Sequence, residues 1–295
     1  MMVATKTILG RKRVLGAVLA WAFMAWFALI GVAGAYVFTG EHLLFLVAEA
    51  LGDGNTLTVN QALTLYSQQP DEMETVFSEK LQYLLGQGFR SELENETIHR
   101  IHVRTPAAAM TVIDGKTVAR AENFSDSYGD MLLYRKRIPL TVRLRQAGVD
   151  VDLTSFGRLE EQVVYIIGAQ YPDESRPQLW VDKETFRPVR WIVRGRQVEM
   201  SAVELEFRYS QWRQFDKLWY PMQIQHWQKG ELVRTMTAGS VIPNRALEAA
   251  LFDIGRLQML YGLPPVETPK PTDATGIDDV DKTIDEFTKL LPPQP

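Results

Sequence analysis

The most regular pattern in the chain is strict alternation. Between positions 203 and 209, Val203, Leu205, Phe207 and Tyr209 are separated by Glu204, Glu206 and Arg208, so an extended strand puts the apolar residues on one face and the charged ones on the other. Val189, Trp191 and Val193 alternate in the same way with Arg190, Ile192 and Arg194, and Met222 and Ile224 with Gln223 and Gln225. Short segments with this period predict further strands at 88–94, 97–104, 109–114, 117–121, 162–169, 178–182 and 231–242. Asp114-Gly115 and Lys229-Gly230 have the composition of two-residue hairpin turns. One buried and one wet face per strand describes an antiparallel sheet wrapped around something, not a parallel sheet covered on both sides.

Helical spacing occurs elsewhere. Residues 43–51 and 57–86 read as helices, the second carrying Leu57, Ala62, Leu65 and Tyr66, then Met73, Val76, Phe77, Leu81, Tyr83, Leu84 and Leu85, with a break and restart at Pro70-Asp71. Residues 124–147 interrupt the strands with Met131, Leu132, Ile138, Leu140, Val142 and Leu144. They predict one or two helices broken near Pro139, lying over the open side of the sheet. A last helix of the domain is expected from Arg245 to Tyr261, packed by Leu247, Ala250, Leu251, Ile254 and Leu257. The domain, 39–262, is followed by a linker rich in Pro, Thr and acidic residues at 263–277. Beyond it, 278–295 holds a short helix over 278–291 with the stripe Val280, Ile284, Phe287 and Leu291. Alone such a helix is marginal in water, so it docks on the domain, frays, or engages an envelope protein partner.

The first 38 residues change the picture from a soluble domain to an exported one. From Val14 to Phe38 there is no charged side chain, and Lys6, Arg11, Lys12 and Arg13 precede the run. A helix of that length spans a hydrocarbon core of about 30 Å with its basic flank on the cytoplasmic side. Ala33-Gly34-Ala35 also offers a cleavage site. The expectation is a periplasmic protein, either soluble after cleavage near Ala35 or anchored to the inner membrane by residues 14–38. With 32 Lys plus Arg against 36 Asp plus Glu in the whole chain, and four of the cations in the leader, the exported part is acidic, which argues against nucleic acid as a partner.

Candidate chemistry is sparse. There is no cysteine, hence no disulfide, thiol nucleophile, thiolate metal site or lipidated N-terminal cysteine. Of the four histidines only His99 and His102 are close in sequence, and three residues apart on a strand they face opposite ways, so they do not jointly hold a metal. Gly-x-Ser-x-Gly, phosphate-loop, dinucleotide and His-Glu-x-x-His signatures are missing from the sequence. The paired acids Glu160-Glu161, Asp173-Glu174 and Asp278-Asp279 read as solvated loops, and Asp182, before Lys183-Glu184-Thr185, as a turn residue bonded to backbone. No catalytic residue, metal or cofactor is expected. The aromatic residues of the second half, Trp180, Trp191, Trp212, Trp219, Tyr220 and Trp227, suit the walls or core of a curved apolar surface.

Several segments together resemble the periplasmic outer-membrane lipoprotein-sorting proteins of the LolA/LolB-like superfamily. They are Val163-Val164-Tyr165-Ile166-Ile167-Gly168-Ala169, the hairpin from Gln178 through Asp182 and Thr185 to Pro188-Val189, Leu218-Trp219-Tyr220-Pro221, the stretch Asn244 to Phe252, and Val112-Ile113-Asp114-Gly115-Lys116-Thr117. The likeness covers about residues 57 to 255. It implies an α+β fold: an incomplete antiparallel β-barrel, a half-barrel covered by helices, preceded here by one N-terminal transmembrane or signal helix. It also implies non-enzymatic binding and sorting or transfer of a lipoprotein acyl chain or lipid in the periplasm; the alternative expectation is an inner-membrane-tethered envelope sensor or scaffold that binds a protein partner through the same fold. Under that reading the residues expected to line the cavity are Val103, Met110, Val112, Tyr165, Leu179, Val181, Trp191, Val193, Val203, Leu205, Phe207, Met222 and Ile224. The family's Arg-Pro lid segment has no counterpart, because residues 90–104 hold Arg90, Arg100 and Arg104 with no proline before position 106.

Overall fold

The computed structural model describes residues 37–67, 74–118, 124–194 and 204–264. The apolar leader, Val203, the linker from 265 onward and the segment 278–291 lie outside the described residues. In chain order the elements are helix α1 (Gly40–Leu51), strands β1 (Thr56–Leu65), β2 (Thr75–Leu84), β3 (Gly88–Glu94), β4 (His99–Arg104), β5 (Ala109–Ile113) and β6 (Lys116–Thr117), a 3-10 turn (Phe124–Gly129), α2 (Asp130–Leu133) and α3 (Arg137–Gln146). Then come β7 (Thr154–Leu159), β8 (Gln162–Ile167), β9 (Gln178–Asp182), β10 (Pro188–Arg194), β11 (Glu204–Phe215), β12 (Leu218–Gln228), β13 (Glu231–Pro243), a second 3-10 turn (Ala249–Phe252) and α4 (Ile254–Tyr261).

The strands make one sheet in the order β6-β5-β4-β3-β2-β1-β13-β12-β11-β10-β9-β8-β7, and every neighbouring pair is antiparallel. The chain therefore starts in the middle of the sheet, meanders to one edge at β6, reappears at the opposite edge as β7, and meanders back until β13 pairs with β1. Something must carry it from edge to edge. The insertion 124–147 does so across one face, called here the inner face. The tight hairpins work as their sequence requires: Asp114-Gly115 and Lys229-Gly230 both take positive φ at both residues, the twist that matches paired antiparallel strands.

Two helical expectations are corrected. The described residues of 57–86 are not helical: they form β1 and β2, and the expected break at Pro70-Asp71 lies outside the described residues. Leu57, Val59 and Leu63 on β1 face Tyr83, Leu81 and Phe77 on β2, all buried, and the alternation is hidden because polar Gln61 and Glu79 occupy the inner position between them, opposite each other. The helix expected over 245–261 is two short elements, since Asp253 accepts a bond from the Arg256 amide at 3.0 Å and starts α4 anew. In the insertion, Pro139 does not break a helix. It lies in the first turn of α3, where a missing N–H costs nothing, and the interruption is the extended stretch around Tyr134.

α1 crosses the inner face. At its start a Cβ on Gly40 would stand 1.7 Å from the Val151 carbonyl oxygen, just before β7, and just past its end one on Gly52 would stand 1.8 Å from that of Lys217, just before β12. Twelve residues at 1.5 Å rise cover about 18 Å, close to four strand spacings. Leu43, Leu44, Val47, Ala48 and Leu51 of α1, and Leu140 and Leu144 of α3, are buried beneath this cover. Arg135 ties the helix ends together, donating from Nε to the Leu132 carbonyl at 2.9 Å and from Nη1 to those of Leu51 and Trp219.

Candidate functional site

Strand pairing decides which side of the sheet each residue occupies. Tyr165 stands opposite Val181, Leu179 opposite Trp191, Trp191 opposite Phe207, Val193 opposite Leu205, and Tyr209 opposite Ile224. Partners across a ladder share a face, so these residues form a continuous apolar band from β8 to β12 on the inner face. All are buried, while Met222, of the same parity on β12, is half-buried. Trp191 and Phe207 have ring centroids 6.1 Å apart, and Phe207 and His226 4.9 Å. Trp191 Nε1 is buried without a hydrogen-bond partner among the described residues. Burial, and then the nearby charge of Arg234, hold the His226 imidazole well below its usual titration range, keeping it neutral.

Nine of the expected lining residues thus come together: Tyr165, Leu179, Val181, Trp191, Val193, Leu205, Phe207, Met222 and Ile224. Val103, Met110 and Val112 do not join them. They lie on the outer face, packed with Ile101 under Leu257, Ile254 and Tyr261 of the last domain helix, α4. The reason is register: Arg100, His102 and Arg104, not Val103, share the face of Leu93, Ser91 and Phe89, and these continue through β2 to the inner face. Val203 lies outside the described residues.

At its β4 end the inner face carries buried charges, which no catalytic motif in the sequence announces. Arg100 is ion-paired with Asp126, which also lies 3.9 Å from His102. Arg104 is paired with Asp130, and Arg143 reaches the second oxygen of Asp130 at 2.8 Å. Tyr209 donates to the Tyr128 carbonyl at 3.0 Å, and Arg234 to that of Ser125. These contacts pin the insertion to β4, β11 and β13. Burial would raise the Asp126 carboxyl, but the charge of Arg100, helped by His102, holds it far below the usual range. Glu79, which accepts from Gln61 and Ser91 at 2.6 Å each, is shifted upward because burial outweighs those bonds. The signal was present as Arg100-x-His102-x-Arg104, three basic side chains with period two on a strand.

The outer face is less wet than alternation alone suggested. Arg190 binds both oxygens of Glu174 at 2.7 and 2.8 Å and Glu206 at 2.6 Å, and its guanidinium lies 4.6 Å above the Trp180 ring. An open cleft of about 260 Å³ on this face is lined by Thr58, Lys80, Gln82, Glu92, Arg245 and Leu251, among others. It is polar and of mixed charge, unlike the inner band. His99 is exposed on the outer face and His102 buried on the inner one, its Nδ1 2.9 Å from Thr111 Oγ1. Asp182 accepts from the Thr185 amide and hydroxyl at 2.7 Å, a turn bond as expected. Among the described residues no helix is long and apolar enough to cross a membrane.

No family model matches the chain, and no curated protein does. Among solved structures it is similar to a LolA superfamily protein from Nitrosomonas europaea, at 14% identity over 73% of this chain and 98% of that one, with a TM-score of 0.45. It is also similar to an outer-membrane lipoprotein-sorting protein domain from Vibrio parahaemolyticus, at 13% identity, 74% and 99% coverage and a TM-score of 0.47. A DUF1329 family protein from Desulfovibrio piger gives 12% identity, 74% and 98% coverage and a TM-score of 0.48. The likeness is one of fold.

Proposed function

We propose that this chain is a non-enzymatic binder of an acyl chain, from a lipoprotein or a lipid, and that it works in the periplasm tethered to the inner membrane by residues 14–38. The observation that carries the reading is the split character of the inner face. At β4 the insertion is latched by buried ion pairs, whereas the band from β8 to β12 is lined by apolar side chains and lies on the face that α1 crosses. An acyl chain competes only with the second kind of contact, which is non-directional. It would lie against Leu179, Trp191, Val193, Leu205 and Phe207 in a half-barrel, with Trp191 Nε1 available to an ester carbonyl.

The energetics suit a carrier that must release. Each buried methylene contributes about 0.8 kcal/mol, so six give roughly 5 kcal/mol before ordering costs. No charged group of the apolar band would add a strong anchor. Native mass spectrometry of the full chain, extracted from membranes in mild detergent, tests the reading: lipid-sized adducts are expected on the intact chain. Protein that is consistently free of lipid, or that takes up no fluorescent fatty acid when offered one, would end it.

A further inference from the structure

α3 is apolar on two sides. Leu140 and Leu144 are buried against the domain, while Ile138 and Val142, one turn apart, are 68% and 49% exposed. A helix buried on one side carries polar residues on the other when that side faces water. Here the second side carries two β-branched apolar residues, with exposed Lys136, Arg137 and Arg145 around them.

The adjoining helix repeats the pattern. On α1, Phe45 is 45% exposed, and it continues an aromatic ladder in which the Phe38 and His42 ring centroids are 4.9 Å apart and those of His42 and Phe45 6.3 Å. The two helices pack together, and Glu41 of α1 meets Arg137 of α3 at 3.6 Å, which places Ile138 beside the first turn of α1. Phe38 is also the last large apolar residue of the run that starts at Val14 and holds no charge before Glu41. Phe45 is five residues past Gly40, so at 1.5 Å per residue it lies about 7.5 Å along α1 from its first residue, which follows Phe38 by two positions.

We propose that this outward face, formed by Phe45 of α1 and Ile138 and Val142 of α3, rests on the phospholipid bilayer that holds residues 14–38. It is a second membrane contact besides the anchor, and it depends on the anchor reading given above. Scattered exposed apolar residues need no explanation. These three flank one inter-helix ion pair at the chain's exit from its apolar run, and long cationic side chains beside them reach phosphates while their stems cover apolar surface. The partners of the flanking cations, Glu41 for Arg137 and Asp152 for Arg145 at 3.5 Å, are exposed, and such pairs yield readily to a phosphate. The consequence is a fixed orientation, with the helices that cover the apolar band turned toward lipid.

The chain has no cysteine, so single replacements report cleanly. Full-length Val142→Cys and Glu96→Cys, the latter in the β3–β4 turn, carry an environment-sensitive fluorophore in vesicles of phosphatidylethanolamine and phosphatidylglycerol. Expected are flotation of both proteins with the vesicles, several-fold stronger quenching of the 142 probe than the 96 probe by lipid-borne nitroxide, and loss of that difference in an Ile138→Glu background. A 142 probe on floated protein that aqueous iodide quenches as well as it does the 96 probe would overturn the contact and leave the anchor intact. Protection from both quenchers would overturn it in favour of a second copy or a protein partner. Failure to float would remove the anchor reading itself, and the contact with it.

Discussion

Gln61 and Glu79 stand opposite one another on β1 and β2, the amide Nε2 donating to the carboxylate at 2.6 Å inside the protein. Ser91 donates to the other oxygen at 2.6 Å, yet burial still shifts the Glu79 carboxyl upward. A group whose folded pKa lies above its unfolded value contributes stability below the unfolded pKa and loses it as pH rises through the folded one. Glu79→Gln does not titrate. The stability difference between wild type and Glu79→Gln is therefore largest near about pH 4 and shrinks toward neutrality, as urea unfolding across pH reports. A difference that grows with pH would contradict the assignment.

Asp126 gives the opposite slope. Although burial opposes its ionisation, Arg100 and His102 hold its carboxyl far below the usual range. Its stabilisation is present above the unfolded pKa and is lost as pH falls toward the folded one. Asp126→Asn leaves Arg100 buried without its counter-charge, which costs about 3–5 kcal/mol near neutrality. The deficit narrows below about pH 4, because the wild type is then losing the same interaction. Equal deficits at neutral and acid pH would show that the pair is not what pins the insertion.

Alternation was legible wherever inner neighbours are apolar on consecutive odd or even positions, as in Leu205, Phe207 and Tyr209. It failed at β1 and β2 because Gln61 and Glu79 satisfy each other where apolar residues were expected, leaving a spacing that passed for helical. It also states that a strand has two faces without stating which one is inner. Val103, Met110 and Val112 alternate properly, yet the pairing of β4 with β3 turns them outward under α4. The buried charges at the β4 end of the inner face were hidden for a related reason: the partners of Arg100 and Arg104 are Asp126 and Asp130, twenty-six residues on in each case, and only the edge-to-edge crossing brings them together.

His226 makes the inner face sensitive to mild acid. Burial and then Arg234 depress its folded pKa, so the unfolded chain binds a proton that the folded one does not. Stability is present above the unfolded value, about 6.5, and falls as pH drops below it. His226→Phe keeps an aromatic ring beside Phe207 and removes the titration. Thermal or urea unfolding from about pH 7.5 to about pH 5 is expected to be flatter in the variant than in the wild type. Parallel curves would mean that His226 takes up its proton in the folded state.

The two faces of the sheet separate stability from ligand binding. Leu205→Ala on the inner face and Met110→Ala on the outer face both truncate a buried side chain, and each costs about 2–5 kcal/mol of stability. An acyl chain against the inner band loses contact with several methylene equivalents in the first variant and with none in the second, at about 0.8 kcal/mol each. Leu205→Ala is expected to weaken fatty-acid affinity several-fold by fluorescence titration, and Met110→Ala to leave it unchanged despite its lower stability. If both weaken alike, binding follows global stability. If only Met110→Ala weakens, the ligand lies on the α4 side, and the inner band is ordinary core.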